Sequence, residues 1–460
     1  MFFDREAELE TLNKAYHSNK AELVIIYGRR RLGKTALVQQ FLSRINGIYL
    51  FTPRGGIDEI LDSFSSDISE QTGTVIRFGH WRDFLDFLRE KSKKERFVIA
   101  IDEFQRLSES YKPAISLLQH YWDNYLSKSK IMLILIGSLV GLVERLALVG
   151  DSPLFGRKTR DMKINQIPYL ILRNYWKKYD EEEKIETYGF FGGTPGYFSL
   201  IDENLTPIQN VEELILLPNA RLAREPEQLL SEETRAPMTY MSILAKLSRR
   251  RGLPLTKIKV RRGMPTVYLA TLMKMDLVET IESLAQGDKI YAIKDEFFRF
   301  WFRFIYPRQT LLEINKGQLL VRKIIEEKND YLSFTFEKIL REIITIASGK
   351  TIKGVEIPII DRIGSFWWKD IEVDACAIAR DTVIVGEAKW QKEKVGSDEV
   401  LKFLRKAETI RSMLKRKKFM GVIMAKEGFT QSARKMETDY LLLLDLDDLS
   451  HELPKEIGIS

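Results

Sequence analysis

An apolar run, Leu23-Val24-Ile25-Ile26-Tyr27, passes directly into Gly28-Arg29-Arg30-Arg31-Leu32-Gly33-Lys34-Thr35 and then into a helical stretch, Thr35 to Arg44. A strand without polar residues is buried on both faces. Where such a strand turns through glycines into a helix, a parallel sheet with crossover helices is expected. Three more runs repeat the pattern before about Asp161: Ile48 to Phe51, Phe97 to Ile101 and Ile131 to Ile136. Residues 1–162 are therefore expected to form one α/β domain.

The link from Gly28 to Thr35 has the spacing GxxxxGK[ST], placed between strand and helix as a phosphate-binding loop (P-loop) requires. Gly28 and Gly33 lack a Cβ, so the backbone of Gly28, Arg29, Arg30, Arg31, Leu32, Gly33, Lys34, Thr35 and Ala36 can close around the phosphates of ATP. Lys34 would neutralise β- and γ-oxygens, Thr35 would ligate Mg²⁺, and the helix N-terminus adds its dipole. The run Phe97 to Ile101 ends in Asp102-Glu103. Asp102 is expected to hold Mg²⁺ through water and Glu103 to polarise the attacking water, as in a Walker B segment. Ser138, at the tip of the next strand, either senses the γ-phosphate or caps the following helix.

Composition narrows the choice of metal. One cysteine and four histidines in 460 residues exclude a disulfide framework and leave little for a zinc module, so Mg²⁺ on carboxylates and phosphate is expected. The same cysteine count fits a reducing cytoplasm. No run approaches the ~18 apolar residues that cross a bilayer, and the start, Met1 to Glu6, lacks the pattern of a signal peptide. A cytoplasmic protein without a membrane span is expected.

Net charge is only +7, but it is unevenly spread. From Arg235 to Met275 there is no acid and there are ten Lys and Arg, in a chain with 65 acids. Met238 to Leu247 has helical apolar spacing, Leu255 to Lys259 suggests a second helix, and Met264 to Met275 a third. Leu277 to Ile281 and Lys289 to Ile293 then pair across Gln286-Gly287-Asp288 as a wing. This is the outline of a winged helix-turn-helix directed at DNA. Arg249, Arg250, Arg251, Arg261 and Arg262 would meet phosphates, and Thr266, Tyr268 and Lys274 would face the groove. The alternative is a winged helix used only for packing between domains.

Glu372 to Ala379 reads as a strand, Arg380-Asp381 as a turn, and Thr382 to Trp390 as the returning strand. Alternation puts Glu387 and Lys389 on one face, and the hairpin brings Asp374 beside Glu387. Asp374, Glu387 and the Ala388 carbonyl would hold Mg²⁺, and Lys389 would orient or activate water. Asp, twelve residues and then Glu-x-Lys resembles the arrangement of PD-(D/E)XK nucleases, and that resemblance implies Glu337 as their helical acid. The alternative is a solvated alternating strand. Residues 391–420 hold ten basic and four acidic side chains, which would either track DNA or form a solvated helix face. The aromatic run Phe297 to Tyr306 is expected in the core, as is Cys376.

Taken together, Phe2, Asp4-Arg5-Glu6, the P-loop, Ile101 to Gln105, Gly137-Ser138, Leu154 to Arg157 and Gly192 to Pro195 resemble an archaeal and bacterial ATPase family related to the AAA+ and STAND classes. The resemblance covers most of residues 1–225. It implies that the Phe2 to Glu6 segment lies near the adenine and that Arg157 senses the γ-phosphate or acts as a finger. Phe300 to Phe304, Gly364 to Trp368 and the Glu-x-Lys strand resemble the PD-(D/E)XK restriction-nuclease-like domain that follows ATPases of this archaeal group, over roughly residues 297–445. The usual Pro-Asp pair is Val373-Asp374 here.

The expected architecture is thus α/β: a P-loop ATPase core at 1–162, a helical lid segment at 163–228, a winged helix at 229–300 and a nuclease-like domain at 301–460. The expected function is ATP hydrolysis coupled to DNA binding and Mg²⁺-dependent cleavage. The competing reading is a nucleotide-dependent switch acting on a protein partner, with an inert nuclease-like domain. A small-molecule kinase is disfavoured by the basic winged helix and the extra domain.

Overall fold

A computed structural model describes residues 3–138, 140–150, 152–285 and 287–452. Phe2 of the adenine-side segment, Gln286 of the expected wing turn and the end of the last expected domain lie outside the described residues. The chain divides into two compact units, 1–166 and 167–460. The expected boundaries at 228/229 and 300/301 fall inside the second.

The first unit holds β1 (Glu22–Tyr27), β2 (Gly47–Phe51), β3 (Phe97–Asp102), β4 (Ile131–Gly137) and β5 (Arg160–Lys163), all parallel, in the order β2-β3-β4-β1-β5. The apolar runs supply two faces at once. Leu23, Ile25, Ile99, Ile101, Leu133 and Leu135 pack on one side. Val24, Ile26, Val98, Ala100, Ile134 and Ile136 pack on the other. Helices Glu6–His17 and Lys34–Leu42 cover the second face through Leu12, Leu37 and Phe41. Helices Ile57–Thr72, Trp81–Lys91 and Ala114–Asn124 cover the first through Phe64, Phe84 and Leu118. Each such buried large aliphatic or aromatic side chain contributes about 1.5–3 kcal/mol, which is why no polar residue interrupts the apolar runs inside β1, β3 and β4.

The second unit begins with short helices, among them Glu181–Phe191 and Glu225–Glu233. Helix Pro237–Leu247 follows, then β6 (Leu253–Pro254), helix Pro265–Lys274, β7 (Val278–Glu282) and β8 (Lys289–Ile293), with the sheet order β6-β8-β7. The helix expected at 255–259 is a single 3₁₀ turn, Leu255–Lys257. Leu253 and Pro254 pair with Tyr291 and Ile290, and that pairing draws the chain into an extended path. The aromatic run is core as expected, with Phe297, Phe298, Phe300, Trp301, Phe302 and Phe304 all buried.

The long helix Leu319–Ile346 leads into the hairpin β9 (Thr351–Ile352) and β10 (Val355–Glu356). Then come β11 (Arg362–Trp368), β12 (Ile371–Ala379), β13 (Thr382–Lys389), helix Ser397–Met413, β14 (Lys418–Ala425) and β15 (Leu441–Leu444). The sheet runs β11-β12-β13-β14-β15. Its first two pairings are antiparallel and its last two parallel. Ala375, Ala377 and Ile384 pack in one core with Leu340 and Ile343 of the long helix. Cys376, Val383 and Val385 pack in another with Phe403 and Ile410 of helix Ser397–Met413.

Edge strand β11 is covered by the end of the β7–β8 hairpin. Ser283 bridges to Ser365, the Leu284 N–H donates to the Ser365 carbonyl at 3.0 Å, and Arg362 pairs with Glu282 at 2.7 Å. Covering removes an exposed ladder of backbone groups. A buried carboxyl gives this unit a pH signature. Glu342 accepts the Tyr169 and Leu170 N–H groups at 3.2 and 2.8 Å, and burial pushes it up to about 7. A folded value above the unfolded one gives stability that is present below about 4.5 and lost as pH rises through about 7. The wild-type advantage over Glu342→Gln is therefore expected to shrink by about 3 kcal/mol across that window. Parallel melting-temperature profiles for the two proteins against pH would overturn this.

Candidate functional site

The loop between β1 and helix Lys34–Leu42 turns back through Arg31 at φ 65° and Gly33 at φ 86°, both in the left-handed region. At Gly28 an added Cβ would lie 2.5 Å from the Ile164 carbonyl oxygen, so only glycine admits this approach. Arg5 braces the loop from outside, donating to the carbonyls of Leu32 at 3.3 Å and Asn165 at 2.8 Å. Lys34 is buried, and its Nζ donates to the Arg29 carbonyl at 2.8 Å.

Thr35 opens the helix, and its Oγ1 donates to Asp102 Oδ2 at 2.6 Å. The same carboxylate oxygen accepts the Tyr49 hydroxyl at 2.8 Å. Burial, then the negative Asp102, raises the Tyr49 phenol well above its usual value, so it remains a donor. The other oxygen, Oδ1, accepts the Glu103 N–H at 2.8 Å. Asp102 is only 3% exposed, so this anion at a strand end is held wholly by donors. Thr35 and Asp102 together offer the hard oxygen donors that suit Mg²⁺.

Glu103 sits at φ 55°, uncommon for a residue with a side chain and worth about 1–3 kcal/mol of strain. The turn aims its carboxylate at Ser138, whose Oγ donates to Oε2 at 2.9 Å, and at Gln105, whose Nε2 donates to the same oxygen at 2.7 Å. Thr35, Asp102, Glu103 and Ser138 thus form one hydrogen-bonded line across the ends of β3 and β4. Arg157 lies on a 3₁₀ turn and makes a two-pronged pair with Asp123 at 2.7 and 2.8 Å. Tyr49, Gln105 and Arg5 were not assigned to this line from sequence. Tyr49 is legible only once β2 is known to neighbour β3, because nothing in Ile48-Tyr49-Leu50 itself points to Asp102.

In the second unit, β12 and β13 pair up to Ala375 opposite Gly386, and Asp374 and Glu387 are the next residue on each strand. Asp374 Oδ2 accepts the Ala388 N–H at 2.9 Å. Glu387 is held by Lys389 at 2.5 Å and by Lys406, from helix Ser397–Met413, at 3.3 Å. Glu337, on the long helix, is buried beside Asp374, and burial followed by that carboxylate pushes it up to about 8. Burial also raises Asp374. Arg251 meets Glu337 at 2.6 Å, Glu372 at 2.7 Å and Asp374 at 3.3 Å. Among the described residues no three acid, histidine or cysteine side chains converge as a ready metal cage.

The other basic residues behave differently. Arg249, Arg250, Arg261, Arg262 and Thr266 are exposed, as is Lys274. Tyr268 is half-buried, donates its hydroxyl to the Arg262 carbonyl at 3.1 Å, and meets Tyr240 edge-on at 5.2 Å. Among the described residues, no helix is long and apolar enough to cross a membrane.

Residues 2–201 match a protein-family profile described as an ATPase domain predominantly from Archaea. Residues 301–402 match a second, described as archaeal and bacterial proteins of unknown function. Across 98% of its length the chain is 30% identical to the whole of the uncharacterised protein MJECL04 of Methanocaldococcus jannaschii. A 42-residue stretch, 9% of the chain, is 55% identical to 71% of the ATP-binding protein MJ0423 of the same organism. Among solved structures, the Walker-type ATPase PABY2304 of Pyrococcus abyssi is similar at 21% identity and a TM-score of 0.48, covering 66% of this chain and 96% of that one.

Proposed function

The chain belongs to one family with MJECL04 and carries an archaeal ATPase domain over residues 2–201, and from that premise we propose that it binds and hydrolyses ATP and couples hydrolysis to DNA. The observation that carries the first part is the hydrogen-bonded line Thr35–Asp102–Glu103–Ser138 beside a glycine-turned loop. Mg²⁺ would supply positive charge against the phosphate oxygens. Lys34 would leave the Arg29 carbonyl for the β- and γ-oxygens, while Thr35 and Asp102 would hold the cation. Glu103 takes the proton of the attacking water, its carboxylate fixed by Ser138 and Gln105. Arg157 reaches a γ-phosphate only by leaving Asp123. Purified protein is expected to release phosphate from ATP in Mg²⁺; no release with any divalent metal would overturn the hydrolase reading.

The DNA part rests on the exposed arginines and on the acid-free stretch around them. The helices and hairpin of residues 237–293 support a winged-helix reading. The order of helix, three antiparallel strands, helix and parallel strand supports a restriction-nuclease-like reading of residues 319–444. Asp374 and Glu387, with Glu337, would then hold Mg²⁺, and Lys389 would orient water. Replacing Arg261 and Arg262 together by Ala is expected to weaken duplex binding about equally across sequences. It should also flatten the dependence of log affinity on log salt by about 1.8. An unchanged slope would remove these residues from the interface.

A second reading, a nucleotide-driven switch acting on a protein partner, is favoured by the docked hairpin and by Arg251, whose charge is engaged by acids. Salt-dependent duplex binding by the full chain favours the DNA reading. Its absence, with tight binding to a protein, favours the switch.

A further inference from the structure

Arg251 comes from the basic stretch, on the turn after helix Pro237–Leu247; like Arg249 and Arg250 it reaches solvent, but its guanidinium is engaged by acids. Its Nη2 meets Glu337 Oε1 at 2.6 Å, and its Nη1 meets Glu372 Oε1 at 2.7 Å and Asp374 Oδ1 at 3.3 Å. The guanidinium also lies over the Phe334 ring, 5.2 Å from its centre. Glu337 and Asp374 are 5% and 7% exposed. Two carboxylates so far out of water need a positive partner, and one planar fork serves three acids drawn from a helix and a strand.

We infer that Arg251 is a built-in cation that keeps this acid cluster closed, so that its docking and occupancy of the cluster by a divalent cation exclude each other. The inference rests on the reading of Glu337 and Asp374 as a carboxylate site. The oxygens that a hard cation would take at about 2.0–2.1 Å are the ones that face the guanidinium. The two cannot both be accommodated, because a guanidinium cannot shed its proton to make room. A second attachment, the Ser283 to Ser365 bridge with the Glu282–Arg362 pair, holds the same basic module to β11. The closed state is therefore anchored at two points, and release at Arg251 is the one that exposes the acids. Glu387, the remaining carboxylate of the proposed site, is held separately by Lys389 and Lys406.

The test is Mn²⁺ binding to the full chain without nucleotide, followed by electron paramagnetic resonance of free Mn²⁺. Arg251→Met is expected to show a site at least tenfold tighter than any in wild type, and Arg251→Met with Asp374→Asn is expected to lose it. Identical isotherms for wild type and a folded Arg251→Met protein would overturn the inference. Should Arg251→Met fail to fold, Arg251→Lys keeps the charge but cannot span three carboxylates. It should bind Mn²⁺ more tightly than wild type, and equality would again overturn the proposal. DNA cleavage is scored separately: a new Mn²⁺ site without cutting upholds the Arg251 contact and sinks only the nuclease reading.

Discussion

Lys34→Ala is expected to reduce ATP hydrolysis to background, at least about 10³-fold, while the second unit keeps its fold. The buried Lys34 ammonium is the charge proposed to meet the β- and γ-oxygens, and loss of a single preorganised electrostatic donor costs about 10²–10³ in turnover. The loss of affinity for ATP adds to this. Glu103→Gln makes the complementary point. The amide keeps the size of the side chain and can still meet Ser138 and Gln105, but it cannot accept a proton. It should bind ATP as tightly as wild type and turn over at least about 10²-fold more slowly. Phosphate release and nucleotide titration on the purified variants check both. An unchanged rate in Lys34→Ala would sink the site, and an unchanged rate in Glu103→Gln would sink only the role given to that residue.

Much of this first unit was legible in the chain because its signals are local. Apolar runs without a polar break require two buried faces, and β1, β3 and β4 each appear where such a run stands. Gly28 and Gly33 read as a phosphate loop from spacing alone, and the geometry adds the reason at each, a backbone approach and a left-handed turn. What sequence did not reveal depends on which elements become neighbours. Tyr49 reaches Asp102 across 53 positions, and Arg251 reaches Glu372 across 121. A basic stretch read along the chain makes Arg251 one of ten equivalent charges, whereas packing makes it a partner of buried acids. The domain count shows the same limit. Within the second unit one core runs across both expected boundaries, so that Phe297 and Trp301 from the aromatic run sit with Leu230, Leu340 and Ala375. A composition change at residue 228 or 300 marks a change of local structure, not a break in burial.

Mg²⁺-dependent cleavage by the full chain, on supercoiled, branched or single-stranded DNA, is expected to disappear in both Asp374→Ala and Lys389→Ala. The two variants reach that result by different routes. Asp374 is buried and holds the Ala388 N–H and Arg251, so its removal deletes a candidate ligand and also loosens the hairpin. A folding check must accompany it. Lys389 is the cleaner probe. Its loss leaves Glu387 with Lys406 at 3.3 Å, so the carboxylate keeps a cation while the group proposed to orient water is gone. A general acid–base or water-orienting group contributes about 10²–10⁴ to rate, enough to take a slow nuclease below detection. Running the panel with and without ATP, on wild type and on Glu103→Gln, separates coupling from chemistry. Cutting that depends on ATP in wild type and is altered in Glu103→Gln ties the two units together. If wild type cuts none of these substrates under any metal while Arg251→Met does, the acids are competent and Arg251 is what restrains them. If neither cuts, Asp374, Glu387 and Lys389 form a binding surface, and the basic stretch answers to a partner instead of a scissile phosphate.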